Sequence, residues 1–146
     1  MSTAINARNN VICAGCIVFR LNESGNIEFL LVKHVKDKND RWGAPKGHAN
    51  LNESVEETAI RETFEETGVV SRLLHELSPV ITANKSEVKT VHFFLAKQLN
   101  PQCRIKFDSE EISEAKWFAI EDLPELYYYQ RNVIVEAKNI IQKYME

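Results

Sequence analysis

The chain has 146 residues, 44% hydrophobic and 27% charged, with a net charge of −3, five glycines and four prolines. That composition suits one domain with its own core, and it excludes a disordered chain, a disulfide-stapled miniprotein and an overall basic nucleic-acid binder. The charge is uneven: residues 47–69 hold six glutamates and one arginine, a local net of −5, so an acidic segment sits in a mildly basic remainder.

The opening MSTAINARNN is polar and lacks the basic-then-apolar layout of a signal peptide. The longest apolar run, nine residues, is too short to span a bilayer. A soluble, cytoplasmic protein without membrane contact is expected.

Residues 11–21, VICAGCIVFRL, are β-branched and apolar and read as a buried strand. NESGN is a turn, and IEFLLVKHV (27–35) a second strand, giving a hairpin. Cys13 and Cys16 have redox or zinc spacing but lie inside the apolar run, with no second ligand pair, so they read as core thiols. KDKNDR is a charged loop, and WGAPKGHANLN (42–52), with two glycines and a proline, is expected to be irregular.

Ser54 with Glu57 matches a capping box, nothing breaks a helix from there to Thr67, and Gly68 sits where a cap glycine belongs. Val55, Ala59 and Thr63 make one apolar line, which Ile60 and Phe64 widen. Glu62, Glu65 and Glu66 border this stripe. Residues 69–83 and 88–99 carry strands, 116–120 another short one, and EDLPEL a turn or a single helical turn. The chain closes on an amphipathic helix with Val133, Ala137, Ile140, Ile141 and Tyr144 at helical spacing. The fold class is α+β: a mixed β-sheet flanked by helices.

Three glutamates on one helical face repel one another. A divalent metal resolves this, because magnesium takes carboxylate and carbonyl oxygens, keeps waters and meets substrate phosphates. The loop ending in Lys46, Gly47 and His48 brings backbone carbonyls and a cation to the same end of the helix. Phosphate transfer or hydrolysis follows, since such a metal bridges phosphate oxygens and lowers the pKa of a bound water.

Gly47, Glu53, Arg61, Glu62, Glu65, Glu66, Gly68 and Val69 match the Nudix box, Gly-x5-Glu-x7-Arg-Glu-U-x-Glu-Glu-x-Gly-U, over residues 47–69. Every glycine and charged position is present, and Thr63 alone departs, where a bulky aliphatic residue is usual. The chain thus resembles the Nudix hydrolases, which implies a single Nudix domain over 1–146, an α/β/α sandwich and a pyrophosphohydrolase. It also implies roles. Glu62, Glu65 and Glu66 would ligate Mg2+ or Mn2+, one of them helping to activate water, and the Lys46 carbonyl would complete the shell. Glu53 would pair with Arg61 or a water, and Arg61 would orient Glu62. A non-catalytic nucleotide-binding module would be expected to have lost box glutamates, and these are intact.

Flanking residues bear on the substrate. RWGAPKGH is similar to the Trp-x-Pro-Pro-Lys-Gly-His segment of asymmetrical diadenosine tetraphosphate hydrolases, with Ala44 in place of a proline. Lys85 and Lys89 fall where that family has a Lys-Pro-Lys segment, and Glu111 where it has a loop glutamate able to join the metal site. Residues 79–84 lack the tyrosine those enzymes place there, so Tyr128, in the run 127–129, is the stacking candidate, with Arg41, Lys46 and His48 as further substrate contacts. WGAPKG also resembles decapping Nudix domains, and the cations of the 33–41 loop would suit a diphosphoinositol polyphosphate. The resemblance implies a small nucleotide as partner and no stable nucleic-acid complex.

Overall fold

The computed structural model describes residues 8–107 and 109–145; the opening MSTAINA lies outside them. Among these residues the elements run β1 (Asn9–Leu21), β2 (Ile27–His34), β3 (Lys46–His48), α1 (Val55–Thr67), β4 (Ser71–Glu76), β5 (Val80–Ala83), β6 (Glu87–Gln98) and β7 (Ile112–Ala119). A 3-10 turn (Tyr128–Gln130) then leads into α2 (Arg131–Tyr144).

The strands form one mixed sheet in the order β4-β6-β1-β2-β7, with β3 added to β1 and β5 to β6. β1 runs parallel to β6 and antiparallel to β2 and β3. It is covered on both faces, which is why its sequence is a continuous apolar run. Cys13, Ile17 and Phe19 join Phe29, Leu31, Phe93 and Leu95 under Val133, Ile134, Ala137 and Ile141 of α2. Ala14, Cys16 and Val18 join Leu30, Phe94 and Ala96 under Ala59 of α1. The two-residue period of the strand thus divides one run between two cores, giving the α/β/α sandwich. Cys13 and Cys16 face opposite sides of the sheet as free thiols and cannot share a ligand.

The β1–β2 turn is closed by Asn22, whose side-chain oxygen accepts the Ser24 and Asn26 amides at 2.9 and 3.0 Å, with Gly25 at φ 82°. The β2 pairing reaches only Phe19, Arg20 and Leu21 of β1. The buried polar groups farther along β1 need partners, and β3 supplies them, opposite Cys13, Ala14 and Gly15. Residues 42–52 are therefore not wholly irregular: Lys46–His48 is a strand, and Gly43 exchanges two hydrogen bonds with Val32.

The capping box of α1 is realised in both directions, each bond 3.0 Å, and Gly68 ends the helix at φ 77°. The buried face differs from the expected one. Thr58, Ala59, Thr63, Glu66 and Thr67 face inward, while Ile60 and Phe64 are 37% and 52% exposed. Short side chains let the helix lie close to β1 and β3, which turns the two bulky residues outward. In α2, Ile134 joins the buried stripe and Tyr144, in the last turn, is exposed.

Candidate active site

The segment before α1 is shaped by two glycines. A Cβ on Gly47 would strike the Glu62 carboxylate, and one on Gly15 would strike the Pro45 carbonyl. Their absent side chains let β3 lie between β1 and α1, bringing Lys46 to the acidic end of the site.

Arg61 organises that end. Its Nε and Nη2 donate to the two oxygens of Glu53 at 2.7 and 2.9 Å, and Nη1 donates to Glu62 at 2.8 Å and Glu65 at 2.6 Å. Nη2 also reaches the His48 carbonyl at 2.9 Å. These carboxylates hold the guanidinium firmly protonated. In return, the Arg61 bonds, with the Asn50 amide and the Thr58 hydroxyl, hold Glu53 down at about 2.

Glu66 is the opposite case. It is 3% exposed and neither carboxylate oxygen has a hydrogen-bond partner. Burial foremost, then the charges of Glu111 and Glu62, push its pKa up to about 8. The Lys46 ammonium and backbone amide lie near enough to offset part of this, though the amide does not reach hydrogen-bond geometry. Burial also raises Glu62, against the pull of Arg61.

A buried carboxylate with two unpartnered oxygens is costly unless a proton or cation meets it. Glu62 and Glu111, close enough to act on Glu66 electrostatically, and Glu65 on the same helix carry the hard oxygens a divalent cation selects. Among the described residues no three acidic, histidine or cysteine side chains close around one point; Glu62 and Glu65 both turn to Arg61. By donor type and by the orphaned Glu66, the residues fit a divalent metal.

Beside this end lies a cleft of about 800 Å3, lined by cations (Lys36, Lys38, Arg41, Lys46), by His34 and Glu111, and by Tyr127, Tyr128 and Tyr129. The Tyr127 and Tyr129 rings stack at 5.7 Å and 21°, with Tyr128 edge-on to Tyr129. The Arg41 guanidinium sits 5.7 Å from the Tyr127 ring and pairs with Asp37 at 3.2 Å. Burial, aided by the Lys46 charge, lowers the His34 pKa and favours its neutral ring. A larger groove of about 1320 Å3, by the β1–β2 turn and the end of α2, shares none of these residues.

Of the residues singled out in the sequence, Arg41, Lys46, Glu111 and Tyr128 line the cleft. Lys89, on β6 opposite Val11, lies close enough to Cys13 and Tyr129 to act on both electrostatically. Two are not brought in. Lys85 is exposed at the tip of the β5–β6 turn, where Asn84 caps the Ser86 and Glu87 amides, and is not among the cleft-lining residues. His48 is exposed, and its carbonyl rather than its ring takes part, as an acceptor for Arg61. Sequence reading missed His34, which merely ends an apolar strand; Tyr127 was signalled only as part of the aromatic run at 127–129.

The family model of the NUDIX domain matches residues 11–137. An asymmetrical bis(5'-nucleosyl)-tetraphosphatase of Mus musculus is 33% identical over 130 residues, covering 80% of this chain and 84% of its own length. A Mycobacterium tuberculosis protein named MutT4 is 34% identical over 108 residues, 70% of this chain, which spans only 43% of that relative's length. A crystal structure of a C. elegans Ap4A hydrolase binary complex superposes with a TM-score of 0.77 at 26% identity, covering 91% of this chain and 98% of that one. With its box intact, its sandwich matched and sequence relatives about a third identical over the aligned residues, the chain belongs to the Nudix family of hydrolases, which act on pyrophosphate bonds.

Proposed function

We propose that this chain is a metal-dependent pyrophosphohydrolase of nucleoside diphosphate derivatives, and that its substrate is diadenosine tetraphosphate, cut asymmetrically to ATP and AMP. The observation that carries the reading is Glu66, buried and unpartnered near Glu62, Lys46 and Glu111, the last two of which also line a cleft that is cationic along one part and aromatic along another. The mouse and C. elegans relatives, whose names specify such a substrate, support the choice.

In this reading Glu62, Glu65, Glu66 and the Lys46 carbonyl, with Glu111 nearby, hold Mg2+ or Mn2+. Nudix hydrolases generally use divalent metal ions; when bound, these polarise phosphoryl oxygens and supply a nucleophilic water, worth several kcal/mol of charge stabilisation. The chain does the rest. Arg61, braced by Glu53, keeps Glu62 and Glu65 from swinging apart under their mutual repulsion. Lys36, Lys38, Arg41, Lys46 and Lys89 bind the polyphosphate. Tyr128, 69% exposed at the cleft wall, offers a face for an adenine ring. Three free cysteines fit a reducing cytoplasm.

The test is a panel of nucleoside diphosphate derivatives, capped RNA 5' ends and diphosphoinositol polyphosphates, incubated with Mg2+ and resolved by chromatography. No turnover of any member would favour a binding module. A preference for capped RNA would replace the proposed substrate and keep the chemistry.

A further inference from the structure

Gln130 is 1% exposed, a buried amide at the head of α2. Its Oε1 accepts the backbone N–H of Ala44 at 2.8 Å, across 86 positions of sequence. Its neighbours leave it no slack. A Cβ on Gly43 would meet Tyr127 Cδ2 at 2.6 Å and Gln130 Oε1 at 2.7 Å. The same side chain lies near enough to the Tyr129 hydroxyl to hold its pKa down in part, against the upward push of burial.

The position of that one bond matters. Residues 42 and 43 are pinned by backbone pairs: Trp42 N–H to Glu125 O at 2.9 Å, and Gly43 with Val32 at 2.8 and 3.0 Å. Lys46 is pinned by pairing with Gly15. Between them Pro45 has no N–H to give, and its carbonyl accepts from Cys16 at a longer 3.2 Å. The Ala44 N–H is therefore the donor that fixes this span, and Gln130 takes it. Lys46 is the next residue but one; its charge reaches Glu66, and its neighbour Gly47 lies directly against the Glu62 carboxylate.

We propose that Gln130 is a positioning residue for the metal end of the site. It holds residues 44–46, and through them Lys46, against Glu62 and Glu66, and so sets the affinity for a divalent cation. This rests on the metal reading given above.

The experiment is titration of Mn2+ alone into the full, substrate-free chain, followed by electron paramagnetic resonance. Gln130→Met keeps the length and removes the acceptor; it should weaken Mn2+ binding about 10- to 100-fold, the range for partners that orient metal ligands. Gln130→Glu keeps an acceptor oxygen and should stay near wild type. Gly43→Ala, which pushes Oε1 aside, should weaken binding in the same direction, and it decides the matter if Gln130→Met does not fold. A lowered melting temperature with unchanged Mn2+ affinity in Gln130→Met would make Gln130 a packing residue and overturn the proposal alone. No Mn2+ binding by the wild type would overturn the metal reading, and this proposal with it.

Discussion

Arg61 and Glu53 form a forked pair, guanidinium Nε and Nη2 meeting the two carboxylate oxygens at 2.7 and 2.9 Å. The fork ties the loop before α1 to the middle of the helix. From that anchored position the remaining donors reach Glu62, Glu65 and the His48 carbonyl. A lysine could supply the charge but not the fork. Arg61→Lys should therefore lower kcat about 10- to 100-fold. Steady-state kinetics at saturating Mg2+ is the check; an unchanged kcat would mean that Arg61 only neutralises charge.

The pair also has a pH signature. Glu53 is depressed from its ordinary 4.5 to about 2. A depressed carboxylate contributes stability that is fully present above the unfolded value and lost as pH falls through the folded one. Wild type should therefore exceed Glu53→Gln in melting temperature above pH 4.5, and the gap should close as pH falls toward about 2. Thermal unfolding with chelator across that range reads it directly. A gap that stays constant would show that Glu53 acts through shape rather than charge.

Gly47→Ala separates fold from function. The new Cβ meets the far end of the Glu62 side chain rather than backbone. The carboxylate can swing away, so stability should change little, by about 1 kcal/mol or less. The same swing displaces a proposed metal ligand, and turnover should fall by at least about tenfold. Full activity in the variant would remove Glu62 from the site.

Glu66→Gln removes the buried charge and keeps the shape. With two unpartnered oxygens in a buried position, Glu66 gives the chelated protein nothing that glutamine cannot. Melting temperature in chelator should hold or rise, while turnover drops by about 100-fold or more, as several kcal/mol of lost charge stabilisation requires. Glu56→Gln, outside the required box charges, is the control and should be nearly silent.

Much of the fold was legible because local signals agreed with the tertiary outcome. The apolar run of β1, the Ser54–Glu57 box and the Gly68 cap all stand where pattern and propensity put them. Ile60 and Phe64 were misread because a helical stripe does not say which margin meets the sheet; short Thr58 and Thr63 won that contest. β3 was invisible because three residues around a glycine carry no strand propensity, and only the open edge of β1 recruits them. The acidic end of the site was written in one contiguous motif. The cleft was not, since His34, Arg41 and Tyr127 come from three separated segments that only the folded sheet brings together.

The most direct test of the central claim is the product pattern from diadenosine tetraphosphate with Mg2+, resolved by chromatography over time. ATP and AMP in equal amounts, abolished by chelator and by Glu66→Gln, is the predicted result. Two ADP per substrate, or turnover that survives chelator, would contradict it.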